Sequence, residues 1–355
     1  MSFVLYTPKY KSLLLLPAVL TVLFLFIVFV YPGVTLGLDF VGGTRIIASS
    51  DMLQEQPVKD LLTQQLDLPE VKVTQVESPL GKNTRIEYAE PKEVSEARFL
   101  LEKGIASLSA GDEAGAQSSF QGALSRLDVP FASGLSAEEL LTLASIAVNE
   151  KSSGIANTVQ QSLIQEFGLP GDTPFTVEQV TPSFGASFLA NTIYVALVSM
   201  ALLIMVIFIF FREIIPSLAV VEAALFDMLT AVALLTLFGF SITLSTVAAL
   251  LMMVGYSIDT DILLTTRMLK RRDKTVLARA NDTLLTGLTV TATLIGATLV
   301  MLVVSWMGQI GVIYEIAATI LFGLFGDIIA TWFTNAPILL WYWERKHGKL
   351  EANSA

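Results

Sequence analysis

The residues best suited to chemistry in this 355-residue chain are carboxylates in places where a carboxylate is costly. Glu222, Asp227, Asp259, Asp261, Glu315 and Asp327 fall within or beside long apolar runs, and no Lys or Arg lies inside those runs, Arg267 standing at the edge of the fourth. An ionised carboxylate in hydrocarbon costs at least about 2.5–3.5 kcal/mol, so each needs an interior position, a hydrogen-bonding partner or a proton. Asp227, Asp259, Asp261 and Asp327 are therefore candidates for a proton relay; the competing reading is neutral, hydrogen-bonded packing between helices. Asp259 and Asp261 are two positions apart, about 200° around a helix, so at most one of them lines a given pathway. Thr286, Thr289 and Thr293 share a face by spacing and offer either hydroxyls to such a path or packing contacts.

The apolar runs are the elements that must position these acids. With 53% hydrophobic residues, 15% charged residues and a mean hydropathy of +0.66, the chain is too apolar for a soluble globule. Runs long enough to cross about 30 Å of hydrocarbon predict spans near 13–31, 188–211, 216–238, 243–267, 283–305 and 311–341. The first is too long for a cleavable leader and is followed by Tyr31-Pro32-Gly33 rather than a small-x-small site, so it is expected to remain as an anchor. Outside 32–187, the cations are Lys9, Lys11, Arg212, Arg267, Lys270, Arg271, Arg272, Lys274, Arg279, Arg345, Lys346 and Lys349. All fall on one side of the predicted spans, and the connections near Gly239-Phe240-Ser241 and Met307-Gly308-Gln309 have none. The positive-inside rule then predicts a multi-pass protein of the cell membrane with both termini cytoplasmic and 32–187 extracytoplasmic. The expected domains are 1–31 (N-terminus and first span), 32–187, a five-helix membrane region over 188–341, and a tail at 342–355.

Segment 32–187 holds 21 acidic and 10 basic residues, a balance that argues against nucleic-acid binding and suits a solvated surface. Strand patterns at Thr44 to Ala48, Lys72 to Val76, Thr84 to Tyr88 and Phe175 to Val180 alternate with helical patterns near 56–66, 93–109, 112–127 and 136–167. The order β-α-β-β-α-β predicts an α+β, ferredoxin-like domain beside the six-helix membrane bundle. A helical insertion over about 91–135 reads as a hairpin, serving either a partner or the domain itself. No Gly-rich loop leads into Lys-Ser/Thr, there is no cysteine, and the one histidine, His347, lies in a basic tail. No nucleotide site, metal site, cofactor or catalytic set is expected, and the chain does not read as an enzyme.

Four motifs stand at matching places along this layout. They are Leu38-Asp39-Phe40-Val41-Gly42-Gly43-Thr44 after the first span, and Thr181-Pro182-Ser183-Phe184-Gly185 before the second. Asp227 follows in the third span, and Thr246 to Leu251 running on to Gly255-Tyr256-Ser257-Ile258-Asp259 occupies the fourth. Together they resemble the SecD/SecF protein-export family of the RND (resistance-nodulation-division) superfamily, on the SecF side and nearer its archaeal branch; 91–135 matches nothing in that pattern. The resemblance implies a six-span half that pairs with a SecD-like six-span subunit beside the Sec translocon. It also implies help to unfolded preproteins emerging outside, with energy in bacterial members drawn from the proton gradient. Bacterial members have Asn-Asp-Thr where this chain has Asp259-Thr260-Asp261, whereas SecD-like sequences place Asp at Asp259, which makes Asp259 the preferred relay candidate. An Arg that bacterial members carry at the start of the fifth span is matched here by Asp282. The alternatives are an RND-type exporter of small amphiphiles, an uncoupled assembly factor of the translocon, and an intramembrane aspartyl protease. The last lacks its Gly-x-Gly-Asp loop.

Overall fold

The computed structural model describes residues 5–7, 10–50, 52–78, 81–180, 182–271, 274–308 and 310–348, with the side chains of 76–78, 81 and 182–188 outside the description. Lys9, Thr181, Arg272, Gln309 and Lys349 lie outside the described residues. A 3-10 turn at Tyr10–Leu14 leads into α1 (Leu15–Phe29), followed by α2 (Leu38–Val41), β1 (Gly43–Ser49) and α3 (Glu55–Asp60). Then come β2 (Lys72–Ser78), β3 (Gly81–Tyr88), α4 (Lys92–Ser109), α5 (Glu113–Arg126), α6 (Ala137–Phe167) and β4 (Phe175–Val180). The chain continues through α7 (Pro182–Phe211), α8 (Ile214–Leu237), α9 (Leu244–Lys270), α10 (Val276–Met307) and α11 (Gly311–Ile329). A π-helical turn at Ala330–Asn335 joins α11 to α12 (Ala336–His347). Contacts divide the chain into an α+β unit, Leu36–Thr192, and a helical unit formed by Met1–Thr35 with Ile193–Ala355.

The α+β unit carries a four-stranded antiparallel sheet in the order β2-β3-β1-β4. Along β1, Thr44, Ile46 and Ala48 are buried while the residues between them are partly exposed, the period-2 pattern of a sheet with one covered face. Val58, Leu61 and Leu62 from and just after α3, with Ala156, Val159 and Leu163 of α6, share a core with Ile46, Ala48, Val73 and Ile86 of the sheet. The first half of α6 belongs to a second core, where Leu140, Ala144 and Val148 meet Ala97 and Leu101 of α4 and Phe120 of α5. Phe120 lies against Gly104, where a side chain would collide with its ring. The two helices of the insertion, α4 and α5, therefore pack with the first half of α6, which is long enough to serve both cores. A capping box starts α6, with Ser136 Oγ accepting from Glu139 N at 3.3 Å and Glu139 Oε2 accepting from Ser136 N at 2.9 Å; Gly168, at φ 62°, ends it.

Among the described residues, six helical runs are long and apolar enough to cross a membrane: Tyr10–Phe29, Leu189–Phe211, Ile214–Leu237, Leu244–Lys270, Val276–Met307 and Gly311–His347. The fifth begins earlier than its apolar stretch predicts, because Thr275 caps the helix by accepting from Ala278 N and the polar turn through Asp282 is already helical. In lipid, helices gain little from burying apolar surface against one another and depend on close packing instead. That packing is centred on α8, α9 and α11. Val220, Ala224 and Ala231 of α8 meet Leu250, Met253, Val254 and Ile258 of α9. On α11, Gly323 receives the Met253 side chain, while a Cβ on Gly326 would lie 2.9 Å from Thr230 Cβ and 3.1 Å from Asp227 Cα. Within the π-helical turn, Trp332 fits against Gly287 of α10.

Candidate functional site

Asp227 of α8, Asp261 of α9 and Asp327 of α11 are brought together in the middle of the helical unit, each no more than 1% exposed. Hydroxyls and one amide connect them. Ser257, one turn before Asp261 on the same face of α9, donates to Asp227 Oδ2 and also interacts with Asp327. Thr331 Oγ1 lies 3.0 Å from Asp261 Oδ1 and 3.1 Å from Asp327 Oδ1. Asn335 donates from Nδ2 to Asp261 Oδ1 at 2.8 Å, and Thr291 of α10 reaches Asp327 Oδ2 at 3.4 Å. Asp327, Thr331 and Asn335 are spaced four apart; the π geometry over Ala330–Asn335 widens the helix where two of them face the acids.

Among the described residues none of these three acids forms a salt bridge. Of the cations that follow Asp261 in sequence, Arg267 donates to Thr286 Oγ1 at 2.9 Å, Lys270 lies over the Phe210 ring, and Lys274 pairs with Asp282 at 2.6 Å. Arg279 lies over the Trp343 ring. The arrangement can hold, donate and accept protons; among the described residues, no group of His, Cys, Asp and Glu has metal-binding geometry.

The fourth relay candidate lies elsewhere. Asp259 is exposed, on a stripe of α9 with Ala248, Met252, Gly255 and Tyr256, because two positions along a helix turn a side chain to the far side. The preference for Asp259 over Asp261 thus finds no support in the geometry: Asp261 occupies the buried site. Glu222 is also exposed. Glu315 accepts from Thr243 Oγ1 at 2.9 Å at the start of α9, where Thr243 and Thr246 form a reciprocal cap. Thr289 and Thr293 return their hydroxyls to backbone carbonyls on an exposed face, so Thr291 rather than that row supplies the α10 hydroxyl. Thr291, Thr331 and Asn335 were missed by sequence reasoning; the available signal was the i, i+4, i+8 series of polar residues from Asp327.

The remaining signature residues serve local geometry. Asp39 and Phe40 lie in α2, and Gly42 and Gly43 take φ of 83° and 138° at the start of β1. A Cβ on Gly43 would sit 2.5 Å from the Tyr88 carbonyl oxygen, so only glycine fits; Thr44 follows, buried, in the strand. Pro182 and Gly185 fall in the first turns of α7, where side chains lie outside the description.

Residues 169–345 match the family model described as protein export membrane protein SecD/SecF, C-terminal. The protein-export membrane protein SecF of Methanolacinia petrolearia is 40% identical over 174 residues, covering 49% of this chain and 61% of that protein. SecF of Pyrococcus furiosus is 38% identical over 54% of this chain and 63% of its own length, and SecF of Haloquadratum walsbyi 34% over 58% and 71%. For the first three relatives the chain spans 61%, 49% and 63% of their length. The crystal structure of a Thermus SecDF, a translocon-associated membrane protein, shares the fold at TM-score 0.63 and 17% identity, covering 95% of this chain and 38% of that one. On the family model and these relatives, the chain belongs to the SecD/SecF protein-export family, on the archaeal SecF branch.

Proposed function

We propose that this chain is the SecF-type half of a SecD/SecF complex that assists Sec-dependent export of unfolded preproteins, and that its intramembrane acids couple export to the proton gradient. The observation that carries the coupling is the cation-free cluster of Asp227, Asp261 and Asp327, held by hydroxyls and an amide that tolerate either protonation state. The observation that supports a second membrane subunit is the exposed α9 stripe, because Asp259 on the outside of a single bundle faces lipid unless another protein covers it. We place both termini on the cytoplasmic side and residues 32–187 outside, following the flanking cations. We also read 32–187 as a ferredoxin-like domain with its insertion at about 91–135, a reading supported by the strand order β2-β3-β1-β4.

The chain has no native cysteine, so a single Cys at Tyr256 or Asp259 gives a clean cross-linking probe. In native membranes, Tyr256→Cys is expected to cross-link to a second six-span chain, which should also copurify with the wild type. Recovery of an active homo-oligomer with no such partner would overturn the assignment. For coupling, Asp261→Asn and Asp327→Asn are expected to slow export of a signal-bearing reporter more than Asp259→Asn does. Export at the wild-type rate in both buried variants would remove the coupling role.

A further inference from the structure

A hydroxyl carries one proton and donates one hydrogen bond. Thr331 nevertheless stands at hydrogen-bonding distance from two carboxyl groups, 3.0 Å from Asp261 and 3.1 Å from Asp327. With both acids ionised, Thr331 would satisfy one and face the other lone pair to lone pair, leaving two like charges side by side without a cation. One proton on the pair removes the conflict, since a protonated carboxyl donates to Thr331 Oγ1 while Thr331 donates to the other carboxylate. Asn335 supports the same geometry. It is wholly buried, its amide nitrogen is bound to Asp261 Oδ1 at 2.8 Å, and its amide oxygen has no partner among the described residues. The carboxylate, rather than any other hydrogen bond, thus orients this amide.

We infer that Asp261 and Asp327 hold one proton between them and that the Thr331 hydroxyl passes it from one to the other, with Asn335 positioning Asp261. In the transfer, the carboxyl O–H bond breaks as an O–H bond forms at Thr331 Oγ1, and the original Thr331 proton moves to the opposite carboxylate. The hydroxyl is regenerated, one negative charge has changed sides, and no other reactant is needed. Ser257, one turn before Asp261 on α9, donates to Asp227 Oδ2 and so carries hydroxyl contacts on to α8. Thr331 and Asn335 are therefore positioning and relay residues, carried by the π-helical turn of the sixth span, where such widened turns recur at functional sites. The inference rests on the coupling role proposed above.

The test uses the full chain in its native membranes with its natural partners, comparing Thr331→Val, which keeps shape and loses the hydroxyl, with Thr331→Ser, which keeps the hydroxyl. Two quantities are read: reporter export, and the carboxylic-acid C=O absorption that disappears in the infrared difference spectrum of Asp327→Asn or Asp261→Asn at neutral pH. Thr331→Val is expected to lower export about tenfold and to shift that band, while Thr331→Ser stays within about twofold and keeps it. The bridge is overturned if the wild type shows no such band, if Thr331→Val leaves the band unmoved, or if its export matches the wild type. Failure of Thr331→Ser as severe as that of Thr331→Val also overturns it. Impaired Asp261→Asn and Asp327→Asn beside a normal Thr331→Val would sink the bridge alone, whereas normal export in both Asp variants would sink the coupling role on which it rests.

Discussion

Glu90 and Asp261 are buried carboxylates, one in each unit, and their hydrogen-bond partners are of opposite kinds. In the α+β unit, Glu90 follows β3 and takes both oxygens to Arg98 of α4, at 3.1 and 2.7 Å, while Ser152 of α6 donates to it at 2.8 Å. In the helical unit, Asp261, Asp227 and Asp327 share Thr331, Ser257, Thr291 and Asn335 and form no salt bridge among the described residues. A bidentate guanidinium compensates the charge of a buried carboxylate, and here the pair ties the end of the sheet to two helices. A carboxylate held by neutral hydroxyls keeps two protonation states within reach, because Ser and Thr accept as readily as they donate. Burial alone therefore does not mark an acid as functional; the nature of its partner does.

The largest expected effect tests the structural half of this contrast. Arg98→Ala leaves Glu90 buried and unpaired and is expected to destabilise the protein by about 3–5 kcal/mol, whereas the joint Glu90→Leu/Arg98→Met replacement recovers most of that loss. Thermal and denaturant melts of the full chain in detergent measure both. If the double variant melts as low as the single one, the pair contributes more than charge compensation.

Helix approach at the membrane cluster comes next. Gly326→Leu is expected to push α11 away from Asp227 at a cost of about 1–3 kcal/mol, with Gly326→Ala milder, and to lower export along with the melting temperature. A variant that melts lower but exports normally would separate packing from function at this position.

The smallest expected change in stability sharpens the comparison most. Asp261→Asn strands no cation and retains hydrogen-bonding capacity, so the melt should move by less than about 1 kcal/mol while export falls. A large loss of stability would make Asp261 a packing residue like Glu90, and the difference between the two units would disappear.

Much of this layout can be read directly from residue order. The six runs were recognisable because crossing hydrocarbon demands an uninterrupted apolar length, and the strands β1 to β4 because a covered sheet face imposes alternation on sequences such as Thr44-Arg45-Ile46-Ile47-Ala48. The acids were recognisable for the same reason: any carboxylate stands out in a span. Which of them met could not be read. Asp259 and Asp261 differ by two positions, and spacing says that they face apart without saying which faces inward.

The sequence by itself determined the spans, their number, the asymmetric cations beside them and the presence of acids in runs that hold no cation, because each is a property of composition along a single segment. Only the tertiary structure decided that Asp261 rather than Asp259 joins Asp227 and Asp327, and that Thr291, Thr331 and Asn335 are their partners. That choice depends on how α8, α9, α10 and α11 rotate against one another. The rotation is set by small contacts, such as Gly326 on Thr230 and Gly323 under Met253, together with a π turn that shifts the face of the sixth span.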